Sequence, residues 1–139
     1  MYQILELRNE VFVVEQNCPY QDCDGKDIKA HHLTGWDNDI LVAYTRLLGK
    51  GISYPDAVSI GRVATSPKVR RKNIGKQLML NSIQKIYDLY GRVPITIGAQ
   101  LYLKRFYESF SFVQQGAVYS EDGIPHIIMK KEPDFFNTQ

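Results

Sequence analysis

The densest chemistry in this chain lies in Ser66-Pro67-Lys68-Val69-Arg70-Arg71-Lys72-Asn73-Ile74-Gly75-Lys76, where five cations lead directly into a periodic apolar run. The backbone N–H groups that open a helix have no intrahelical partners, and the positive end of the helix dipole points the same way. Asn73 and Gly75 are residue types that tolerate a left-handed turn or close approach by a phosphate. Cations are repelled by a helix N-terminus, so their concentration here implies a bound anion that offsets the repulsion. The alternative is a solvated basic turn. Neither G-x-x-x-x-G-K-[ST] nor G-x-G-x-x-G occurs, which excludes a Walker loop and a dinucleotide fingerprint.

Other reactive side chains are less organised. Cys18 and Cys23 share one polar segment, with no second cysteine pair and no histidine at finger spacing, so reduced thiols are the default and no metal site is expected. Glu15, Asp22, Asp24 and Asp27 give the same segment an acidic lining suited to a cationic amine, although acidic loops are usually just solvated and calcium-loop spacing is not met. His31 and His32 alternate faces, so only one of them can point inward.

The elements that must position these groups follow from periodicity. Ile4, Leu7, Val11 and Val14 predict an amphipathic helix that ends near Asn17 to Pro19, followed by a loop to Ala30. His31 to Trp36 and Ile40 to Leu48 read as a hairpin, and Ala57 to Thr65 as a buried strand with a bulge or close approach at Gly61 and Arg62. Ile74 to Tyr90 has the clearest 3.6-residue period, with Gly91 as its C-terminal cap. Val93 to Ala99 reads as a strand, Leu103 to Phe110 as a short helix, and Phe112 to Tyr119 with His126 to Lys131 as closing strands. The strand, helix, strand unit around the basic loop requires a crossover between parallel strands, where ligands usually bind.

A chain of 139 residues predicts one core, here a single domain over residues 1–139. With 44% hydrophobic and 23% charged residues it lies far from disordered compositions. A net charge of +2 is too mild to argue nucleic-acid binding. The uncharged run Val93 to Leu103 falls well short of the ~20 residues of a membrane helix. No basic n-region followed by an apolar h-region opens the chain, which makes a reducing cytoplasm the natural compartment. Oligomeric state is left open, a homodimer included.

Two segments resemble motifs of one family. Val63-Ala64-Thr65 followed by Arg70-Arg71-Lys72-Asn73-Ile74-Gly75 is similar to motif A of the GNAT-type N-acetyltransferases, an apolar strand and then [QR]-x-x-G-x-[GA], with Asn73 in place of the first glycine. Gln100 to Phe112 is similar to motif B, with Gln100, Leu103 and Ser111 replacing Asn, Ala and Gly. Leu7 to Gln16, Cys18 to Asp22 and Glu121 to His126 resemble the ElaA-like branch, so the likeness spans nearly the whole chain.

The resemblance implies an α/β (α+β) fold: a mixed, splayed central sheet flanked by helices, here without the family's usual first strand. It implies acetyl-CoA as co-substrate, the pantetheine arm along Val63, Ala64 and Thr65, the pyrophosphate on amides from Arg70 through Arg71, Lys72, Asn73, Ile74 and Gly75 to Lys76, and Gln100 touching the arm. Lys104 or Arg105 would approach the nucleotide phosphate, although long cations on a helix are usually solvated. Tyr107 falls at the family's acid position, and its phenol, of ordinary pKa near ~10, can protonate a departing thiolate. On spacing alone Tyr107 reads as core, because it shares a face with Leu103, Phe106 and Phe110. Many relatives place a Glu base where this chain has Ser59. His126, after Gly123-Ile124-Pro125, has the residue chemistry of a general base at neutral pH, though a histidine at a strand start is more often structural. The expected reaction is acetyl transfer to a primary amine of a small molecule or protein, with no nucleic-acid or membrane partner. A GNAT-like module that binds acyl-CoA without fast catalysis is the alternative.

Overall fold

The computed structural model describes residues 1–16, 22–70 and 72–133. Arg71, Cys18 and the predicted helix stop at Asn17 to Pro19 lie outside the described residues. Helix α1 (Tyr2–Arg8) runs into π-helical turns over Asn9–Glu15. The wider i→i+5 spacing shifts the face that follows Arg8. Leu7, Arg8 and Val11 are buried, whereas Val14, expected on the apolar face, is 73% exposed.

Strands β1 (His31–Asp37) and β2 (Ile40–Leu48) form the expected hairpin, turned by Asn38 at φ 55°. Strand β3 (Ser59–Thr65) pairs antiparallel with β2, and α2 (Ile74–Tyr90) follows, entered through Asn73 at φ 60° and left through Gly91 at φ 85°. Strand β4 (Ile95–Gln100), α3 (Lys104–Glu108), β5 (Val113–Glu121) and β6 (Ile124–Lys131) complete the fold. Two three-stranded sheets result, ordered β1-β2-β3 and β4-β6-β5.

The sheets meet where β3 and β4 run parallel. They join at the bridge Val58 to Ile95, where Thr96 N–H donates to Val58 O at 3.0 Å, and then part. This is the mixed α/β fold with a splayed centre that the resemblance implies. The main core packs Leu47, Ile60, Met79, Ile83, Ile97, Tyr107, Phe112 and Met129 between the sheets and α2 and α3. On the opposite face, Leu7 and Val11 pack on Leu41, Tyr44 and Ala64. Thr45 in β2 and Ser82 in α2 tie sheet to helix by a 2.8 Å hydroxyl contact in the interior. The described chain opens on α1, and β1 has a partner on one side only. Among the described residues, no helix is long and apolar enough to cross a membrane.

Candidate active site

The divergence of β3 and β4 opens a cleft of about 1210 Å³. Along β3, Arg46 opposes Gly61 and Tyr44 opposes Ala64, so Thr45 faces two residues, Arg62 and Val63. Arg62 takes φ 50° at this bulge, as the Gly61-Arg62 pair had predicted. Ser66 N–H returns to Val42 O at 2.7 Å, so the alternate residues Val63 and Thr65 turn their backbone groups to the open edge of β3. That edge offers strand-like hydrogen bonding to an extended chain at Val63 and at the Thr65 amide, while Thr65 O already accepts from Arg70. Ala64 does not share it: its side chain is 2% exposed in the α1-side core, and its backbone belongs to the ladder with β2.

Beyond β3 lies the N-terminus of α2. Its first helical hydrogen bond is Gln77 N–H to Asn73 O at 3.1 Å, which leaves the amides of Ile74, Gly75 and Lys76 without intrahelical acceptors. Gly75 lines the cleft, and a Cβ there would meet only the Phe106 ring, at 3.8 Å. The space it would enter is the space an anion on those amides would fill. The backbone of this loop therefore suits a pyrophosphate. The side chains of Lys72, Asn73, Ile74 and Lys76 lie off the cleft wall, as do Lys104 and Arg105 on α3. Arg70 lines the cleft with its guanidinium already engaged: it forms a two-pronged ion pair with Glu15 and donates to Thr65 O at 2.9 Å. The pair holds the Glu15 carboxyl below its ordinary range and raises Arg70.

The acids expected to line the loop for an amine are committed elsewhere. Asp22 pairs with Arg8 and Arg62, both at 2.8 Å. Asp24 takes Arg46 at 2.8 Å, and Asp27 takes Arg8 at 2.7 Å. Burial alone would raise the Asp24 and Asp27 carboxyls, but hydrogen bonds and charge from Arg46, Arg8 and Arg62 outweigh it and hold both below the usual range. Two strands, β2 and β3, and helix α1 are thereby laced to one loop. His32 belongs to the same lacing, with Nδ1 on Tyr44 Oη and Nε2 3.1 Å from Asp27 O. His31 is exposed, edge-on to Tyr90. Cys23 is exposed as a thiol.

Tyr107 and His126 both line the cleft, from opposite faces of the second sheet. Tyr107 stands on the α3 side, 6% exposed and edge-on to Phe106 and Phe112. Burial pushes its phenol well above the ordinary value. His126 Nδ1 lies 2.7 Å from Ile124 O. A carbonyl only accepts, so Nδ1 carries the hydrogen and Nε2 is directed toward Glu121, 3.3 Å away. Gln100 pairs across the ladder with His126 and lines the same cleft. Ser59 is also on the wall and buried.

The chain matches a known domain. A family model described as an acetyltransferase (GNAT) domain covers residues 6–133. The chain belongs to the GNAT acetyltransferase family. It is 47% identical over 134 residues to the protein ElaA of Escherichia coli, covering 95% of this chain and 87% of ElaA. The crystal structure of Escherichia coli ElaA superposes with a TM-score of 0.87 over 94% of this chain and 89% of that one, which places the chain in the ElaA-like branch. An acyl-CoA N-acyltransferase from Pseudomonas aeruginosa is 43% identical, with a TM-score of 0.86 over 94% of this chain and 88% of its own. A Bacillus subtilis acetyltransferase crystallised with CoA shares the fold at 21% identity and TM-score 0.70, over 95% of this chain and 92% of its own. Membership makes this chain an acyl-CoA-dependent acyltransferase.

Several cleft residues of this GNAT domain escaped sequence reasoning: Tyr54, Gly98, Tyr119 and Glu121. Tyr119 faces His126 because β5 spends Gly116, Ala117 and Val118 opposite Ile127 alone, a slip that strand alternation cannot anticipate. Tyr54 lies in a loop rich in Gly, Ser and Pro with no periodicity to place it.

Proposed function

We propose that this protein transfers the acetyl group of acetyl-CoA directly to a primary amine of a small molecule or protein. The observation that carries the reading is the meeting, in one cleft, of the β3 edge at Val63 and the Thr65 amide with the amides of Ile74, Gly75 and Lys76, which have no intrahelical acceptors. An extended amide arm suits the first and a pyrophosphate the second. Acetyl-CoA supplies an activated thioester at the apex between them. Gln100 lies within reach of the arm.

His126 acts as the base: Nε2 takes a proton from the amine, with Glu121 stabilising the imidazolium that results. Tyr107 acts as the acid, giving its hydroxyl proton to the sulfur as the carbon–sulfur bond breaks and the nitrogen–carbon bond forms. Its buried phenol is suited to this because it stays protonated throughout the physiological range. Starting from an ammonium, two protons leave nitrogen and sulfur takes one, so one proton is released per turnover.

The experiment pairs calorimetry with release of CoA thiol across an amine panel. Gly75→Val fills the open cradle and is expected to weaken acetyl-CoA binding by at least tenfold, the scale of ~1.4 kcal/mol, whereas Lys68→Ala leaves it nearly unchanged because several amides share the phosphate. Equal effects reject the cradle. Tight acetyl-CoA binding with no thiol release for any amine would favour a second reading, an acyl-CoA-binding module, for which the buried Ser59 at the family's glutamate position speaks.

A further inference from the structure

Gly98 is an exposed glycine in the middle of β4, on the edge of its sheet that faces the cleft. Its register partner is Ile128. Tyr119 pairs with His126 two residues along β6. Alternation therefore puts Gly98, Ile128, His126, Tyr119 and Glu121 on one face, opposite the core face of Ile97, Ile127 and Met129. Tyr54 reaches the same point from the β2–β3 connection, where Gly51 N–H holds its carbonyl at 2.9 Å. A Cβ on Gly98 would stand 3.0 Å from Tyr119 Oη and 3.1 Å from Tyr54 Oη. A side chain here would crowd both hydroxyls where they overhang the backbone. Glu121, with 60% of its side chain exposed, stands at the mouth, 3.3 Å from His126 Nε2.

We propose that this overhang at Gly98 is the acceptor subsite and that it selects a cationic primary amine carried on an uncharged apolar stem. The proposal rests on the acetyl-transfer reading and specifies its acceptor. Two phenol oxygens accept N–H bonds from one nitrogen, and they sit on the same face as the base. The Tyr54 and Tyr119 rings with Ile124 and Ile128 provide apolar walls for a stem. Glu121 draws a cation to the mouth and repels an acceptor that carries a carboxylate beside its amine. Of the cationic side chains nearby, Arg46 and Arg62 are paired with Asp24 and Asp22, while Lys26 donates to Ser53 Oγ at 3.1 Å and keeps its charge.

The test uses the full chain with phenethylamine as probe and phenylalanine, the same stem bearing a carboxylate, and spermidine as comparators. Amine binding is measured by calorimetry on protein saturated with CoA, and turnover with acetyl-CoA. Wild type is expected to bind and acetylate phenethylamine in preference to both comparators. Gly98→Ala pushes a methyl against the two hydroxyls, so phenethylamine binding should fall about tenfold, or ~1.4 kcal/mol, with acetyl-CoA affinity unchanged. Tyr54→Phe and Tyr119→Phe, which preserve the rings, should raise KM for the amine several-fold with a smaller change in kcat, and they decide the matter if Gly98→Ala does not fold. Glu121→Gln should narrow the gap between phenethylamine and phenylalanine. A preference for either comparator, no binding of phenethylamine, or equal losses of amine and acetyl-CoA affinity in Gly98→Ala would overturn the subsite. Binding that responds to these variants without acetylation would overturn the transfer reading and keep the subsite. Acetylation indifferent to all four variants would do the reverse.

Discussion

Tyr107 has an observed place in the core and a proposed place in the chemistry, which spacing alone could not separate. Its ring is core, edge-on to Phe106 and Phe112, and the residue also lines the cleft, which is what the proposed acid role requires. The core role was legible from the i, i+3, i+4, i+7 pattern; the acid role came only from family resemblance, because periodicity reports which face is buried and not what lies beyond it. Tyr107→Phe keeps the ring and removes the proton. It should lower kcat by about 10²-fold with acetyl-CoA affinity and thermal stability retained. An unchanged kcat, with chemistry rate-limiting, returns the residue to packing. The phenol also predicts the alkaline limb. The active form is protonated and burial raises the pKa, so loss of the donor should not be felt until pH exceeds the ordinary phenol value of ~10. A kcat–pH profile falling through pH 8 to 9 by deprotonation of the acid would contradict this assignment.

At the scale of elements, legibility followed the range of the determining interactions. Helix α2 was read nearly to its ends because its signals are local: an apolar stripe, Asn73 before it and Gly91 after it. The β3 bulge was announced by Gly61-Arg62, again locally. The pairing of the acids in the loop after α1 was not legible because their partners, Arg8, Arg46 and Arg62, lie on three other elements. Val14 was misplaced because nothing in the residue pattern marks the change from α to π spacing. The lacing gives an element-scale prediction. Arg8, fully buried, bridges Asp22 and Asp27. Burial alone would lower its pKa, but the two carboxylates raise it further still, so it stays charged. Arg8→Met leaves Asp22 interior with one fewer cation and should cost about 3–5 kcal/mol, the scale for breaking a buried pair by removing one partner. Urea midpoints measure it. A loss below ~1 kcal/mol would mean the loop repacks and the network is not what pins it to the sheet.

For the whole molecule, the decisive feature is that, among the described residues, two sheets are joined along the β3–β4 seam at the Val58–Ile95 bridge and by shared core, so the candidate cleft is a built-in gap between the sheets. The crossover around the basic loop made parallel β3 and β4 legible; the parting after Val58 was not, because it depends on how the two sheets pack on α2 and α3. The first sheet's cleft side is held by the arginine–aspartate lacing, which makes global stability acid-sensitive in a defined direction. Asp24 and Asp27 have folded pKa values depressed below their unfolded value near ~3.9. A depressed carboxylate contributes stability that is complete above the unfolded pKa and is lost as pH falls through the folded one. Urea stability should therefore be flat in this contribution from pH 7 to about 5, and decline steadily below about 4 as the unfolded chain takes up protons first. Asp24→Asn removes one titrating partner of Arg46 and Arg62. It should lower stability at pH 7 and flatten the acid slope, so that wild type and variant converge toward pH 2. Parallel pH profiles for the two proteins would mean that acid unfolding runs through other carboxylates and that the lacing around Asp24 does not set the acid limit of the fold.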